Sequence, residues 1–247
     1  MKLEGTVALV TGGAVRVGRA IGLELAHAGC DIAIHYHQSR LQAEDLASEI
    51  EKIGRRAVII SGDLEDASSW PTIVDRSVDA LGRLDVLVNN ASIFLTDTAD
   101  TLEGFDPLLW TRMLRINLLA PMALSHHART HLGASGLGKI INLGDGCVER
   151  PWPEHLAYCA SKAGLAAMTK ALARAFAPKV QVNAVAPGIA VFPDSYSPAL
   201  REKLQRRVPL GRAGSPEEVA GLVRFLAESG DYITGQTIPI DGGRNLV

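Results

Sequence analysis

Short apolar runs alternate with longer segments of helical period along almost the whole chain, and this alternation limits the possible folds more than any other feature of the sequence. The candidate strands are Val7–Val10, Asp31–Tyr36, Ala57–Ser61, Val86–Asn89, Lys139–Leu143, Gln181–Val185 and Thr237–Ile240. The candidate helices are about Gly18–Ala28, Leu41–Ile53, Ser69–Leu81, Leu109–His131, Ala157–Ala177 and Pro216–Ser229. Strands that alternate strictly with helices form βαβ units, which build a parallel sheet covered by helices on both faces. We therefore predict one doubly wound α/β domain over residues 1–247 with a seven-stranded parallel sheet.

Composition and charge exclude several other classes of protein. Hydrophobic residues make up 47% and charged residues 21% of the 247 residues, which excludes a disordered, collagenous or repeat-dominated chain. Lys and Arg number 25 against 27 Asp and Glu, so charge gives no reason to expect nucleic acid or an anionic membrane as a partner. We expect a small-molecule substrate instead.

The cysteines and the N-terminus indicate the compartment. Cys30, Cys147 and Cys159 show neither a disulfide framework nor zinc-ligand spacing, which fits a reducing cytoplasm. The first residues lack the long apolar stretch of a signal peptide, and nowhere do about 18 apolar residues run uninterrupted. We therefore expect a cytoplasmic protein that does not span a membrane.

The stretch from Pro187 to Gly214 contains four prolines and shows no clear period. It follows the sixth candidate strand, and a long irregular segment at the carboxyl end of a parallel strand is typical of a loop that covers a ligand. We expect a substrate lid at about residues 189–212.

The first candidate strand ends in Thr11-Gly12-Gly13-Ala14-Val15-Arg16-Val17-Gly18, and a helix follows. A glycine-rich turn at such a junction lets the backbone approach a pyrophosphate and directs helix N–H groups toward it. The literal G-x-G-x-x-G pattern is absent, and a tight turn without a ligand is the alternative. The position at the first strand-to-helix junction favours a dinucleotide site in a Rossmann-type fold.

This turn resembles the Thr-Gly-x-x-x-Gly-x-Gly turn of the short-chain dehydrogenase/reductase family, with Arg16 in the place of the central glycine. Further segments resemble the family in the same order: Asn89-Asn90-Ala91-Ser92, Asn117, Tyr158-Cys159-Ala160-Ser161-Lys162 and Pro187-Gly188. The resemblance implies a nicotinamide dinucleotide cofactor. It also implies a homotetramer whose interfaces contain the helices of Asn117 and Tyr158.

Tyr158 and Lys162 lie four residues apart in a candidate helix, so both side chains leave the same face. Taken alone, such a pair is usually two surface neighbours. A nearby ammonium would lower the pKa of the tyrosine and make the phenol a usable proton donor. The resemblance implies that Tyr158 is the general acid, that Lys162 also binds the nicotinamide ribose and that Asn117 holds a water in a proton relay.

Most of the family has a serine thirteen residues before the tyrosine, and this chain has Asp145 there. An ionised carboxylate only accepts hydrogen bonds and would repel the alkoxide that develops when a ketone is reduced. A substrate with N–H donors, or with a C=N bond that needs a proton on nitrogen, fits a carboxyl group better. The alternative is that Asp145 only caps the next segment of an inactive protein.

Arg16, Asp145 and the segment His35-Tyr36-His37-Gln38-Ser39 resemble the pteridine reductase branch of the family. Three segments are similar to the bacterial dihydromonapterin reductases of that branch: Val148-Glu149-Arg150, His155-Leu156-Ala157-Tyr158 and Asp241-Gly242-Gly243-Arg244. The resemblance implies that Arg16 reaches both the cofactor phosphate and the pterin, that Phe94 stacks on the pterin and that Ser92 lines the same pocket. The alternative for Phe94 is a position in the core.

The choice of cofactor depends on the end of the second strand. No carboxylate lies between Ile32 and Arg40 to bind the adenosine ribose of NAD and repel a 2′-phosphate, so the sequence favours NADP(H). His37, Ser39 and Arg40 offer donors, although Gln38 stands where pteridine reductases often have arginine. The resemblance assigns these residues to the cofactor: Gly12, Arg16, Val17, His35, Tyr36, His37, Ser39, Asp63, Leu64, Asn90, Ala91, Ser92, Tyr158, Lys162, Pro187 and Gly188.

Two histidine pairs have spacings that suit metal ligands, His35 with His37 on a strand and His127 with His131 on a helix. Neither has an evident third ligand, so we expect no metal site.

Together these residues predict an NADPH-dependent reductase of a dihydropterin of the dihydromonapterin, dihydrobiopterin or dihydrofolate type. Its expected substrate-binding residues are Arg16, Ser92, Phe94, Asp145 and Tyr158. Two alternatives remain open: a carbonyl or 3-oxoacyl-thioester reductase, and a non-catalytic NADP(H)-binding sensor.

Overall fold

Parallel strands run through the centre of the molecule. The computed structural model describes residues 1–95, 105–134, 136–193 and 195–247, and within these ranges one sheet contains seven strands in the order β3-β2-β1-β4-β5-β6-β7. They are β1 (Val7–Val10), β2 (Asp31–Tyr36), β3 (Ala57–Ser61), β4 (Val86–Asn89), β5 (Gly138–Leu143), β6 (Val180–Pro187) and β7 (Thr237–Ile240). Every neighbouring pair is parallel. The predicted doubly wound fold is confirmed.

The helices cover both faces of this sheet. They are α1 (Arg16–His27), α2 (Arg40–Lys52), α3 (Ser69–Leu81), α4 (Pro107–Leu114), α5 (Ala120–Ala134), α6 (Leu156–Phe176), α7 (Pro198–Gln205) and α8 (Pro216–Glu228). Successive residues of a strand point to opposite faces, so Val10 packs in the core formed with α1, α2 and α8, and Leu9 in the core formed with α3, α5 and α6. Apolar residues at every position of β1 therefore serve two cores.

The long helix predicted over Leu109–His131 is three elements in the structure. Asp106 caps α4 by accepting a hydrogen bond from the Leu108 N–H, and Pro107 stands in the first turn, so the helix begins before Leu109. A π-helix over Arg115–Leu119 then separates α4 from α5. It contains Asn117, and such insertions occur frequently at functional sites.

The expectation of an irregular stretch from Pro187 to Gly214 was wrong in part, because this region contains α7. Ser197 caps α7 and Pro198 opens it, which is the same signal that correctly predicted the start of α8 at Ser215-Pro216. No residue of α7 is buried, so the segment has no apolar period from which a helix could be recognised.

The order of the strands reverses at β1, which lies between β2 and β4. In open α/β sheets, ligands bind in the crevice outside the carboxyl ends of the strands at this point. Among the residues described, no helix is long and apolar enough to cross a bilayer.

Candidate active site

The turn after β1 depends on close backbone approach. A Cβ on Gly18 would lie 2.2 Å from the Gly12 carbonyl oxygen and 2.6 Å from Asn90 Nδ2, so this position of α1 requires glycine. Arg16 has a φ of 51° and is the one non-glycine residue with positive φ in the described ranges. The left-handed conformation costs an L-residue roughly 1–2 kcal/mol, which explains why glycine is usual at this position and marks the arginine as a strained residue.

Polar groups from β2 and β4 hold the turn in place. The Gly12 N–H donates to His35 Nδ1 at 3.2 Å, and His35 Nε2 lies 3.2 Å from the Gly62 carbonyl oxygen. The ring is therefore the neutral tautomer with its proton on Nε2. Asn90 Nδ2 donates to the Thr11 carbonyl oxygen at 2.8 Å. The structure thus places His35 and Asn90 behind the turn, where they shape it.

Burial of His35 has a consequence for its charge. Its side chain is 2% exposed, and burial lowers the pKa of the imidazole to about 4, despite a raising contribution from its bond to Gly62. Protonation would place an N–H on Nδ1 against the N–H of Gly12.

The open side of the turn borders a cavity of about 230 Å³. Its lining residues are Gly12, Ala14, Val15, Tyr36, His37, Gln38 and Ser39. None of them is acidic, as the sequence predicted for an NADP(H) site. Arg40, which the sequence suggested as a further donor, is not among them, and its Nε donates to Glu44 Oε1 at 2.8 Å instead.

The side chains of Tyr158 and Asp145 meet beyond β5. The Tyr158 hydroxyl donates to Asp145 Oδ2 at 2.9 Å, and the Cys147 N–H donates to Asp145 Oδ1 at 2.8 Å. Asp145 therefore caps the 3₁₀-helix Gly146–Val148 and contacts the tyrosine at the same time. The capping that the alternative interpretation expected is therefore present, and the role of Asp145 toward a substrate stays a prediction.

Lys162 lies one turn after Tyr158 on α6, and both side chains are buried rather than surface neighbours, with exposures of 3% and 7%. Lys162 Nζ donates to the Leu143 carbonyl oxygen at 2.8 Å and lies 5.7 Å from the centre of the Tyr158 ring. An ammonium has three donors, so further hydrogen bonds to a ligand are possible.

The expected lowering of the tyrosine pKa was wrong. Burial, and next the negative charge of Asp145, raise the pKa of Tyr158 well above its ordinary value. Burial also lowers the pKa of Lys162, against the opposing effect of Asp145. Tyr158 is consequently a phenol that keeps its proton at neutral pH and points it at a carboxylate.

Asn117 connects two parts of the site through both atoms of its side-chain amide. Its Oδ1 accepts from the Ile93 N–H at 2.9 Å and from Ser92 Oγ at 3.2 Å. Its Nδ2 donates to the Ile93 carbonyl oxygen at 3.0 Å and to Ser161 Oγ at 3.2 Å. The side chain thereby fixes the segment after β4 against α6, and Ser92 points its hydroxyl toward Asn117.

Aromatic rings form one wall of a cavity of about 410 Å³ beside Tyr158. The Phe94 ring lies 4.9 Å from the Tyr158 ring and 4.6 Å from the His155 ring, and the Trp152 ring is nearly parallel to that of Tyr158 at 6.2 Å. His155 Nδ1 is buried and has no hydrogen-bond partner among the described residues. An unpaired buried polar atom in a cavity wall favours a ligand that supplies the missing bond.

The structure brings Arg16, Phe94, Asp145, Tyr158 and Gly188 to this one cavity. Val17, Leu64 and Ala91 pack against the two cores, and their assignment to the cofactor stays a prediction. Sequence reasoning missed several lining residues: Trp152, Phe192, Pro193, Tyr196, Leu204 and Arg207. All of these except Trp152 lie within the predicted lid at residues 189–212, of which Asp194 is outside the described residues.

Among the described residues, no three His, Cys, Asp or Glu side chains form a group that could hold a metal ion. In the first histidine pair, both ring nitrogens of His35 contact the backbone of Gly12 and Gly62, and His37 Nε2 lies 3.8 Å from Asp63 Oδ2.

The chain is similar to known reductases along its whole length. A family model described as enoyl-(acyl carrier protein) reductase matches residues 13–245. A 3-oxoacyl-[acyl-carrier-protein] reductase from Synechocystis sp. is 36% identical over 245 residues, covering 98% of this chain and 97% of that protein. The FolM alternative dihydrofolate reductase 1 from Brucella canis, solved with NADP, is 34% identical with a TM-score of 0.93, covering 100% and 96%. A short-chain dehydrogenase from Burkholderia cenocepacia, also with NADP, is 35% identical with a TM-score of 0.90, covering 99% and 100%.

Proposed function

The chain belongs to the short-chain dehydrogenase/reductase family, and from that premise we propose that it is an NADPH-dependent reductase of a dihydropterin. The observation that carries this proposal is the hydrogen bond from the Tyr158 hydroxyl to the Asp145 carboxylate. A carboxylate in this position suits a substrate with N–H donors, and it disfavours a substrate whose reduction produces an alkoxide.

The residues around the turn fit NADP(H). Gly12 and Gly18 let the backbone approach a pyrophosphate, because a Cβ on Gly18 would fill the space between the turn and Asn90. None of the described residues that line the cavity beside Ser39 and His37 is acidic, so none of them would repel a 2′-phosphate. NADP-bound relatives of 34–35% identity support the same cofactor. When bound, NADPH supplies the hydride.

Reduction of a C=N bond adds a hydride to carbon and a proton to nitrogen. Tyr158 holds the proton, since burial and Asp145 keep the phenol protonated. Asp145 accepts hydrogen bonds from ring N–H groups and so orients the ring. Lys162 binds the nicotinamide ribose, and Asn117 aligns the segment from Ser92 to Phe94 with α6.

The shape of the cavity supports a flat substrate. The Phe94, Trp152 and Tyr158 rings supply an apolar wall on which a pterin ring can stack, and Arg16 lines the same space. The similarity to the FolM protein of Brucella canis supports this substrate class as well.

A second candidate is reduction of a 3-oxoacyl thioester. It is favoured by the 36% identity to the Synechocystis 3-oxoacyl-[acyl-carrier-protein] reductase. The same family chemistry would apply, but Asp145 would face the carbonyl oxygen of the substrate.

Oxidation of NADPH by the purified protein tests the proposal. We expect turnover with dihydromonapterin, dihydrobiopterin or dihydrofolate, and much slower turnover with an acetoacetyl thioester and with NADH. Turnover of the thioester alone would support the second candidate. NADPH binding without oxidation of any substrate would indicate a sensor.

A homotetramer is also part of the proposal. Leu119 and Met122, on the segments that follow Asn117, expose 50% and 42% of their surface, and burial of such apolar side chains favours association. Sedimentation analysis tests this, and a monomer would contradict it.

A further inference from the structure

A second and larger cavity, of about 930 Å³, adjoins the cavity beside Tyr158. Asp145, Trp152 and Arg244 line both, so the two spaces are continuous. A ring held at Tyr158 is too small to fill both, and a substrate with a longer substituent would extend into the larger space.

Arginines dominate this larger cavity. Arg150, Arg206, Arg207 and Arg244 line it, against the acidic side chains of Asp145 and Glu154. Arg206 is neutralised by Glu202, which lies 2.6 Å from its guanidinium. The other three arginines make no ion pair with any residue in the described ranges, although the negative charge of Asp145 acts on Arg244.

Two of these guanidiniums, those of Arg207 and Arg244, line both cavities and lie close enough for their like charges to interact. Burial lowers the pKa of Arg244 and the charge of Arg207 lowers it further, whereas the negative charge of Asp145 raises it. Arg244 is partly buried, with its guanidinium 5.6 Å above the Trp152 ring, which lies parallel to Tyr158. Like charges gathered in a partly buried cavity cost free energy, and a bound anion removes that cost through charge-assisted hydrogen bonds.

We propose that the substrate carries an anionic group on a substituent beyond its reacting ring, and that Arg150, Arg207 and Arg244 bind this group. The inference rests on the proposed function for the position of the ring at Tyr158. The shared chemistry is a carboxylate or a phosphate. Among pterins, such an anion site favours those with a carboxylate-bearing substituent over those with a neutral side chain. A thioester that carries a phosphate would fit the same site equally well.

Calorimetry on the protein saturated with NADP⁺ tests the anion site without any turnover. The probes are p-aminobenzoyl-glutamate, its uncharged diamide, and coenzyme A. We expect the glutamate fragment to bind and the diamide to bind at least about tenfold more weakly. The reason is that a hydrogen bond to a charged group raises affinity by a factor on the order of ten or more. Raised ionic strength should weaken only the charged probes. Tighter binding of coenzyme A than of the fragment would identify a phosphate as the natural group.

Arg150→Gln and Arg207→Gln should each weaken the fragment roughly tenfold. Arg212→Gln is the matched control, because Arg212 pairs with Glu218 and does not line this cavity. In turnover, the first two variants should lower the ratio of kcat/KM for dihydrofolate to that for dihydrobiopterin by a similar factor.

The inference is overturned if neither charged probe binds, if the diamide binds as well as the acid, or if the two variants behave like Arg212→Gln. These results differ from a failure of the proposed function. Fragment binding that depends on Arg150 and Arg207, without reduction of any dihydropterin, would keep the anion site and reject the pterin.

Discussion

Asp145→Asn isolates the charge that distinguishes this site. Asparagine keeps an oxygen that can accept from the Cys147 N–H, now 2.8 Å from Asp145 Oδ1, so the cap of the following 3₁₀-helix is preserved. In the wild type, Asp145 Oδ2 accepts a hydrogen bond from the Tyr158 hydroxyl at 2.9 Å. The NH₂ group of asparagine takes the place of this oxygen and cannot accept that bond. The variant therefore removes one charge-assisted hydrogen bond with little change in volume.

The magnitude follows from that bond. Hydrogen bonds to charged groups contribute about 1.5–3 kcal/mol, and about 1.4 kcal/mol corresponds to a factor of ten in rate. We expect kcat/KM for a dihydropterin to fall about 10- to 100-fold. Burial is the larger cause of the raised pKa of Tyr158 and Asp145 the second, so removing the carboxylate lowers that pKa. Activity, which needs the protonated phenol, should then decline at a lower pH on the alkaline side than in the wild type.

The assay is NADPH consumption as a function of pH with one dihydropterin. Asp106→Asn is the matched control, because Asp106 caps α4 in the same way at 2.9 Å and does not line the aromatic cavity. Asp145→Ser, which restores the usual residue of the family, should also lose pterin activity. Wild-type kcat/KM and an unmoved alkaline limit in both Asp145 variants would refute the reasoning.

Three further predictions follow from single contacts. Phe94→Ala removes a ring 4.9 Å from that of Tyr158, and the KM for the dihydropterin should rise roughly tenfold with a much smaller change for NADPH; equal changes would exclude stacking. Gly18→Ala places a Cβ 2.2 Å from a carbonyl oxygen and should weaken NADPH binding measured by fluorescence, whereas Gly221→Ala on α8 has open space and should bind normally; equal affinities would contradict the role of the turn. The pKa of His35 is about 4 in the folded chain against 6.5 ordinarily, so as the pH falls the unfolded chain binds a proton at this residue before the folded chain does. The free energy of unfolding, measured by urea denaturation, should therefore fall by about 3 kcal/mol from pH 6.5 to pH 4. His35→Asn keeps an acceptor for the Gly12 N–H and should flatten that decline; an identical decline would refute the assignment.

The strands were predictable because their signal is local. β1, β2, β3, β4 and β7 have the bounds that the apolar runs predict, since each run is interrupted by polar or turn residues at both ends. The predicted ends of α3 agree with the structure, whereas most other helix ends differ by one to three residues, because capping depends on contacts that a period does not contain. The segment around Asn117 and the exposed helix α7 were missed, since a π-insertion and a helix without buried residues leave no 3.6-residue pattern.

The sequence was sufficient to predict individual residues of the site, but not the properties that depend on how several residues pack together. The resemblance to the family assigned Asp145 and Tyr158 to one site, and the structure joins them by a hydrogen bond from the phenol to the carboxylate. The direction of the tyrosine pKa shift depended on burial first and on the charge of Asp145 second, and burial is set by packing between residues distant in sequence. Trp152 and Arg244 meet across more than ninety residues, so no local pattern could indicate their contact.

The central claim is that Asp145 and Tyr158 favour reduction of a C=N bond over reduction of a ketone. Direct competition measures this preference: dihydrofolate and an acetoacetyl thioester at equal concentration, limiting NADPH, and both products quantified by chromatography. The ratio of products gives the ratio of kcat/KM values. We predict that reduced pterin exceeds hydroxyacyl thioester by more than about tenfold, the effect of one charge-assisted hydrogen bond. An excess of the hydroxyacyl product would contradict the claim.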